Sequence, residues 1–229
     1  MADSYFPPFD LKEGNLREMF ESEVWKNEES HEYEQWREAM IELTTKLNFD
    51  AVIDLALYLS FEANLNDKYI WRAIEAAALE NLHLYSLKHA CQMQWAVTQL
   101  KPKHTTSRFD NLLFQITHER IEKGLESPED FHHIMQGHRN KKSKDIYLKL
   151  KKILIEQKDF LMTKQEGKEK EWASNMVNLM FSFASNKPNK FGVYVRYAKE
   201  EINELLAHYE NDFCECVQYL DSEGITRLA

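Results

Sequence analysis

Apolar residues in this 229-residue chain recur every three or four positions, segment after segment, which is the spacing of helices that turn one face to a core. Leu16, Met19, Phe20 and Val24 share one such face, and Trp36, Met40, Leu43 and Leu47 share another. The run FDAVIDLALYLSF (49–61) has so few polar positions that it reads as a helix buried on most sides. Tyr69, Ile70, Ala73, Ile74, Ala77 and Ala78 follow, the alanines being small enough for helix axes to approach closely. The breaks carry helix punctuation: Ser30 as an N-cap, a turn and cap across Asn64–Asp67, Lys101-Pro102 as a stop, Gly124 as another, and Ser127-Pro128-Glu129-Asp130 as a start. Six glycines and five prolines are too few for the tight turns of a sandwich or barrel. The sequence thus predicts an all-α protein of ten to twelve helices packed as stacked antiparallel hairpins, either an α-solenoid-like repeat array or an irregular helical bundle.

The same punctuation divides the chain. Residues 1–14 read as an extended arm, since Pro7 and Pro8 exclude helix, and Tyr5, Phe6 and Phe9 offer aromatic contacts. Residues 15–157 form the expected hairpin array, ending in a short helix over 128–136 and a basic helix over 143–157. Residues 158–170, with Gly167 at the break, read as a connector, and 171–229 as a C-terminal hairpin and tail. Three stretches share a plan of apolar helix, polar loop and a second helix opening on an aromatic, and two have Lys-Pro in the loop (Lys101-Pro102, Lys187-Pro188). Their spacing is that of helical hairpin repeats.

Charge is unevenly placed. The net charge is −9, which disfavours a protein whose whole surface tracks phosphates. Residues 10–42 hold eleven acids against four bases, and residues 139–152 hold seven bases against Asp145 alone. Such ends can orient a protein on a partner, and they are also what two solvated helix faces look like. Three cysteines, Cys91, Cys214 and Cys216, make no disulfide framework and suit a reducing compartment. No stretch has the roughly 20 apolar residues of a membrane span, and the acidic start has neither a signal-peptide core nor an Arg/Ser-rich transit pattern. An intracellular protein is expected.

The residues that could carry chemistry do not assemble a motif. His132, His133 and His138 are close in sequence, but six positions on a helix turn through about 240° and put the outer two on different faces. Neither His118-Glu119 nor His83 with His89 has a partner evident in the sequence. Cys214-Glu-Cys216 has one intervening residue, too few for a CxxC site. There is no HExxH, no phosphate-binding glycine loop and no GxSxG elbow. The expectation is no cofactor, no metal, no small-molecule substrate and no catalysis. Binding remains. Aromatics are enriched in interface cores, which makes Tyr5, Phe6, Phe9, Trp25, Trp36 and Trp172 the candidate protein contacts. Arg139, Lys141, Lys142, Lys144, Lys151 and Lys152 are the candidate contacts to RNA or an acidic partner, with Tyr147 available for stacking. Ile146, Leu150, Ile153 and Leu154 point that helix's apolar side inward, which leaves its lysines outward.

Three segments, FDAVIDLALYLSF, NDKYIWRAIE and WAVTQLKPKHTTSRFDNLLFQI, give residues 48–125 a resemblance to the helical hairpin repeats of FAST-kinase-like and RAP-type organellar proteins, with an echo at 172–206. The resemblance implies organellar RNA-binding factors, or relatives recruited as accessory subunits of protist mitochondrial complexes. This chain is acidic and shows no C-terminal RAP-like α/β module. The expected role is therefore a mitochondrial accessory or scaffold subunit bound to other proteins, with RNA binding through the basic helix as the alternative.

Overall fold

The protein was analysed as a computed structural model that describes residues 14–99, 104–138, 144–185 and 203–222. The fold is all-α, with no strand among the described residues. The chain divides into two compact units, Met1–Thr117 and His118–Ala229.

The first unit contains α1 (Gly14–Glu21), α2 (His31–Thr44), α3 (Phe49–Phe61), α4 (Lys68–Glu80), α5 (Leu87–Gln99) and the opening part of α6 (Ser107–Lys123), with 3-10 turns at Val24–Lys26 and Leu82–Leu84. Side chains start the helices, at Ser30 and Asp67 as the sequence predicts and at Asn48 besides. Ser30 accepts from the Tyr33 amide at 3.0 Å, Asn48 from Ala51 at 2.9 Å, and Asp67 from Tyr69 at 2.7 Å and Ile70 at 3.0 Å. Each such cap is worth about 1 kcal/mol. Packing is most extensive between α3 and α5, then between α2 and α4, then within the α3–α4 hairpin. Next-but-one packing of this kind is what stacked hairpins produce. Small residues allow it: Ala56, Ala90 and Ala96 are fully buried, and the Ser60 hydroxyl donates to the Ala96 carbonyl across α3 and α5 at 3.0 Å. Trp71 lies at the centre, fully buried, and its indole N–H donates to Leu65 O at 3.2 Å.

The second unit begins within α6, which ends at Gly124 in the left-handed region (φ +89°). It continues through α7 (Pro128–His138), α8 (Lys144–Glu156), the single turn α9 (Lys158–Leu161), α10 (Glu169–Ser185), helical residues 203–208 (α11) and α12 (Glu210–Cys216), closing on a 3-10 turn at Val217–Tyr219. Ser127 and Asp130 make a reciprocal cap at the start of α7. The Ser127 hydroxyl accepts from the Asp130 amide at 3.3 Å, and the Asp130 carboxylate accepts from Ser127 N at 3.3 Å and Glu126 N at 2.9 Å. α10 is the hub, packed on α7, α12 and the final 3-10 turn.

Residues 158–170 are not a bare connector. α9 occupies their first turn, Leu161 and Met162 are buried, and the indole of Trp172 donates to Met162 O at 2.9 Å. The division of the chain falls inside α6 instead. Hydrophilic composition made 158–170 look like a linker, while two apolar anchors tie it into the core of the second unit.

Candidate protein-binding surface

The α1–α2 region carries the largest described departure from charge balance. Glu18, Glu21, Glu23, Glu28, Glu29, Glu32, Glu34, Glu38 and Glu42 are all exposed. Three of them have a basic neighbour: Glu23 pairs with Lys26, Glu34 lies 3.8 Å from His31, and Glu42 is 2.6 Å from Lys46, whose ammonium holds the Glu42 carboxyl below its usual range. Arg37 is taken by Asp67 at 3.9 Å. Glu18, Glu21, Glu28, Glu29, Glu32 and Glu38 make no ion pair among the described residues.

Beside those acids lies an open groove of about 420 Å³ between α1 and α2, lined by Asn15, Glu18, Met19, Ser22, Trp36 and Leu43. Asn15, Glu18 and Met19 stand at i, i+3 and i+4 on one face of α1, Ser22 follows just past its end, and Trp36 and Leu43 are two turns apart on α2. Backbone bonds fix the walls. The Trp36 indole donates to Met19 O at 2.8 Å, and the Trp25 indole donates to Phe20 O at 3.2 Å. Phe20 meets Trp25, Trp36 and Tyr58 with ring centroids 5.7, 5.6 and 4.8 Å apart.

These contacts correct the reading of the tryptophans. Trp36 is 7% exposed and Trp172 is 6% exposed, each held by an indole bond to its own chain, and Trp25 is half-buried. They build the fold, and only the rim of Trp36 reaches the groove. Tyr5, Phe6 and Phe9 lie outside the described residues. A better exposed aromatic is Tyr69, at 58%, with the Arg37 guanidinium 4.9 Å from its ring centroid. Asp67 organises this corner. It caps α4 with one oxygen and accepts from the Tyr33 hydroxyl at 2.9 Å with the other, and burial together with that carboxylate pushes the Tyr33 phenol well above its ordinary range.

The basic helix is less basic than its sequence. Lys151 is 8% exposed and paired with Glu204, so it does not face outward. Lys149 lies 3.2 Å from both Glu122 and His118 Nδ1, and Lys152 lies 3.7 Å from Glu156. Each described lysine side chain of α8 therefore has a carboxylate neighbour. Arg139, Lys141 and Lys142 lie outside the described residues, as does the side chain of Lys144.

Two clusters that sequence reasoning missed resemble active sites at first glance. Ser86 Oγ lies 3.1 Å from His89 Nδ1, and His89 Nε2 lies 3.3 Å from Asp50 Oδ1. The Ser86 amide also donates to His89 Nδ1 at 3.2 Å, and the His89 amide donates to Ser86 Oγ at 3.4 Å. That is a capping box with histidine where glutamate usually stands. It fixes Nδ1 as an acceptor and Nε2 as the protonated nitrogen facing Asp50. Burial lowers the His89 pKa, with Asp50 acting the other way. The second cluster is built on Glu75, 4% exposed on α4. Its carboxylate accepts from the Thr106 amide at 2.9 Å and from the Thr106 hydroxyl, and it lies 3.3 Å from Arg72. Thr106 caps α6 in turn, accepting from the Phe109 amide at 3.2 Å. Both clusters organise helix starts. The spacing Ser-x-x-His was readable as a cap, and Glu75 stands at i+4 from Trp71 on the buried side of α4.

No group of three His, Cys, Asp or Glu close enough to hold a metal ion occurs among the described residues. His132 and His138 have no described side chains. No helix is long and apolar enough to cross a membrane among those residues. No protein-family model matches this sequence, and no curated protein matches it.

Proposed function

We propose that this chain is a non-catalytic accessory or scaffold subunit that binds other proteins within a larger assembly, in a mitochondrial complex by the resemblance of residues 48–125. The observation that carries the reading is the α1–α2 surface, where an open, mostly apolar groove has Glu18 in its wall and lies in a segment rich in exposed carboxylates that have no ion pair among the described residues. Carboxylates at such density repel one another on an isolated chain, and a cationic partner relieves that repulsion. The apolar strip between them supplies area for association. Lysines already paired with carboxylates weigh against phosphate binding by α8.

The test is gentle purification of the tagged chain from its native cells, with and without ribonuclease, followed by mass spectrometry of what accompanies it. Stoichiometric protein partners that survive ribonuclease are expected. Recovery of RNA, with the partners lost on digestion, would replace this reading with RNA binding. A chain that purifies alone would remove it.

A further inference from the structure

We infer that the groove between α1 and α2 receives a basic amphipathic helix of another protein, with apolar residues set against Met19, Trp36 and Leu43 and lysines or arginines set against Glu18 and Glu32. The inference rests on the protein-binding reading above and names the class of partner for that surface.

The geometry of the walls argues for a helix. Asn15, Glu18 and Met19 form one face along α1, whose eight residues run about 12 Å, and Ser22 follows just past its end. Trp36 and Leu43 give the opposite wall the same two-turn repeat. A partner helix presents apolar side chains at i, i+3, i+4 and i+7, which matches walls of that period. Met19 suits such a role, because an unbranched thioether adapts its shape to what it meets.

Charge selects among the occupants. Glu18 lies in the groove itself, and Glu32 stands one turn before Trp36 on the same side of α2. Both are exposed and make no ion pair among the described residues. Of the bases in residues 14–46, Lys26 is committed to Glu23, Lys46 to Glu42 and Arg37 to Asp67, and Arg17 has a contact of its own. Residues 1–13 of this chain contain Asp3, Asp10 and Glu13 against Lys12 alone, the same sign as the rim. The same acidic face of a second copy would repel this one, and so would a nucleic acid. A cationic helix is the occupant whose charge fits.

The probe is a fluorescently labelled helical peptide made only of leucine and lysine at helical spacing, with the matching leucine and glutamate peptide as control. Both are titrated into the full-length chain carrying 13C-methyl methionine. The leucine–lysine peptide should bind saturably, more weakly as salt rises, and should shift the Met19 methyl resonance while leaving that of fully buried Met40 in place. Glu18→Lys with Glu32→Lys should weaken binding at least about tenfold. Glu34→Lys with Glu38→Lys makes the same change in net charge on the far side of α2, and should weaken it by less than about threefold. Absence of saturable binding overturns the inference. So does an unmoved Met19 methyl, equal loss from the two charge-reversed pairs, or equal binding of the acidic peptide. The Met19 readout uses the unaltered chain and stands even if a variant folds poorly. A native complex recovered alongside failed peptide binding overturns the groove inference and leaves the subunit reading intact. A chain that purifies alone removes the parent reading whatever the peptide does.

Discussion

The two units secure their helices with opposite charges. In the first, buried or half-buried carboxylates do the work. Asp67 ties the start of α4 to Tyr33 of α2, and Glu75 ties α4 to the start of α6. These acids accept from helix N-terminal amides, where the backbone dipole favours negative charge. In the second unit, lysines are the ties. Lys158 pairs with Asp212 and lies 5.0 Å from the Tyr209 ring centroid. Lys164 pairs with Glu215 and sits 5.3 Å from the centroids of both Trp172 and Tyr219. Lys151 pairs with Glu204. A carboxylate bonded to amides inside a core is shielded from solvent. A lysine at the edge of a core shares its partner with water and salt. Two units of one fold class therefore differ in what disturbs them.

Substitutions in the two units test this difference. Trp71→Ala should cost about 3–5 kcal/mol in equilibrium urea denaturation, because it empties the centre of the first unit and leaves the Leu65 carbonyl unpaired. Glu75→Ala should cost about 1–3 kcal/mol by the same measurement, as the Thr106 amide and hydroxyl lose a buried acceptor. Raising the salt should leave that cost nearly unchanged, and a large salt effect would count against the shielded-carboxylate account. Lys158→Met, which keeps the stem and removes the charge, should cost about 1 kcal/mol at low salt and less at high salt. An equal cost at both salts would dissolve the contrast between the units.

The smallest expected effect is a pH dependence at His89. Its pKa is lowered in the folded chain by burial, so folding favours the neutral ring that accepts from the Ser86 amide. Stability from this cap is full above the unfolded value of about 6.5 and is lost as pH falls through the lower folded value. His89→Gln should flatten that part of the pH–stability curve, as followed by thermal melts. A curve that keeps its slope would assign the dependence to another group.

Much of the fold was legible because helix starts and stops are local chemistry. Ser30, Asn48, Asp67, Ser127 and Gly124 act within a turn of themselves, and nothing distant can overrule a side-chain oxygen beside an unpaired amide. Tertiary coverage is a different kind of fact. Tyr33, Trp36, Met40 and Thr44 form a buried stripe on α2, so the periodicity showed that Trp36 faces something without showing that its own chain supplies it. Lys151 adjoins Leu150 and Leu154 at the edge of the apolar stripe of α8. Only the position of Glu204, fifty-three residues away, gives this buried lysine its carboxylate partner. Residues 158–170 failed as a linker because Leu161 and Met162 outweigh their hydrophilic neighbours once Trp172 is there to cover them. The acid excess near the N-terminus was visible in the sequence. The groove beside it was not, since a groove is a relation between two helices.

The bonds that join helices also set a schedule. In the first unit they link residues 34, 36, 31 and 26 positions apart, from Tyr33–Asp67 to Cys91–Thr117. In the second, Lys149 joins α8 to Glu122 and His118 of α6 across 27 and 31 positions, but Lys151–Glu204, Tyr209–Leu154 and Lys164–Glu215 span 53, 55 and 51. The entropy difference between such loops is under about 1 kcal/mol, so equilibrium scarcely notices it. Synthesis does notice. A ribosome adding roughly 5–20 residues per second completes each tie of the first unit soon after its earlier partner emerges. None of those three ties can close until residues 204–215 have been made. The ties of the first unit can thus close while the rest of the chain is still being made.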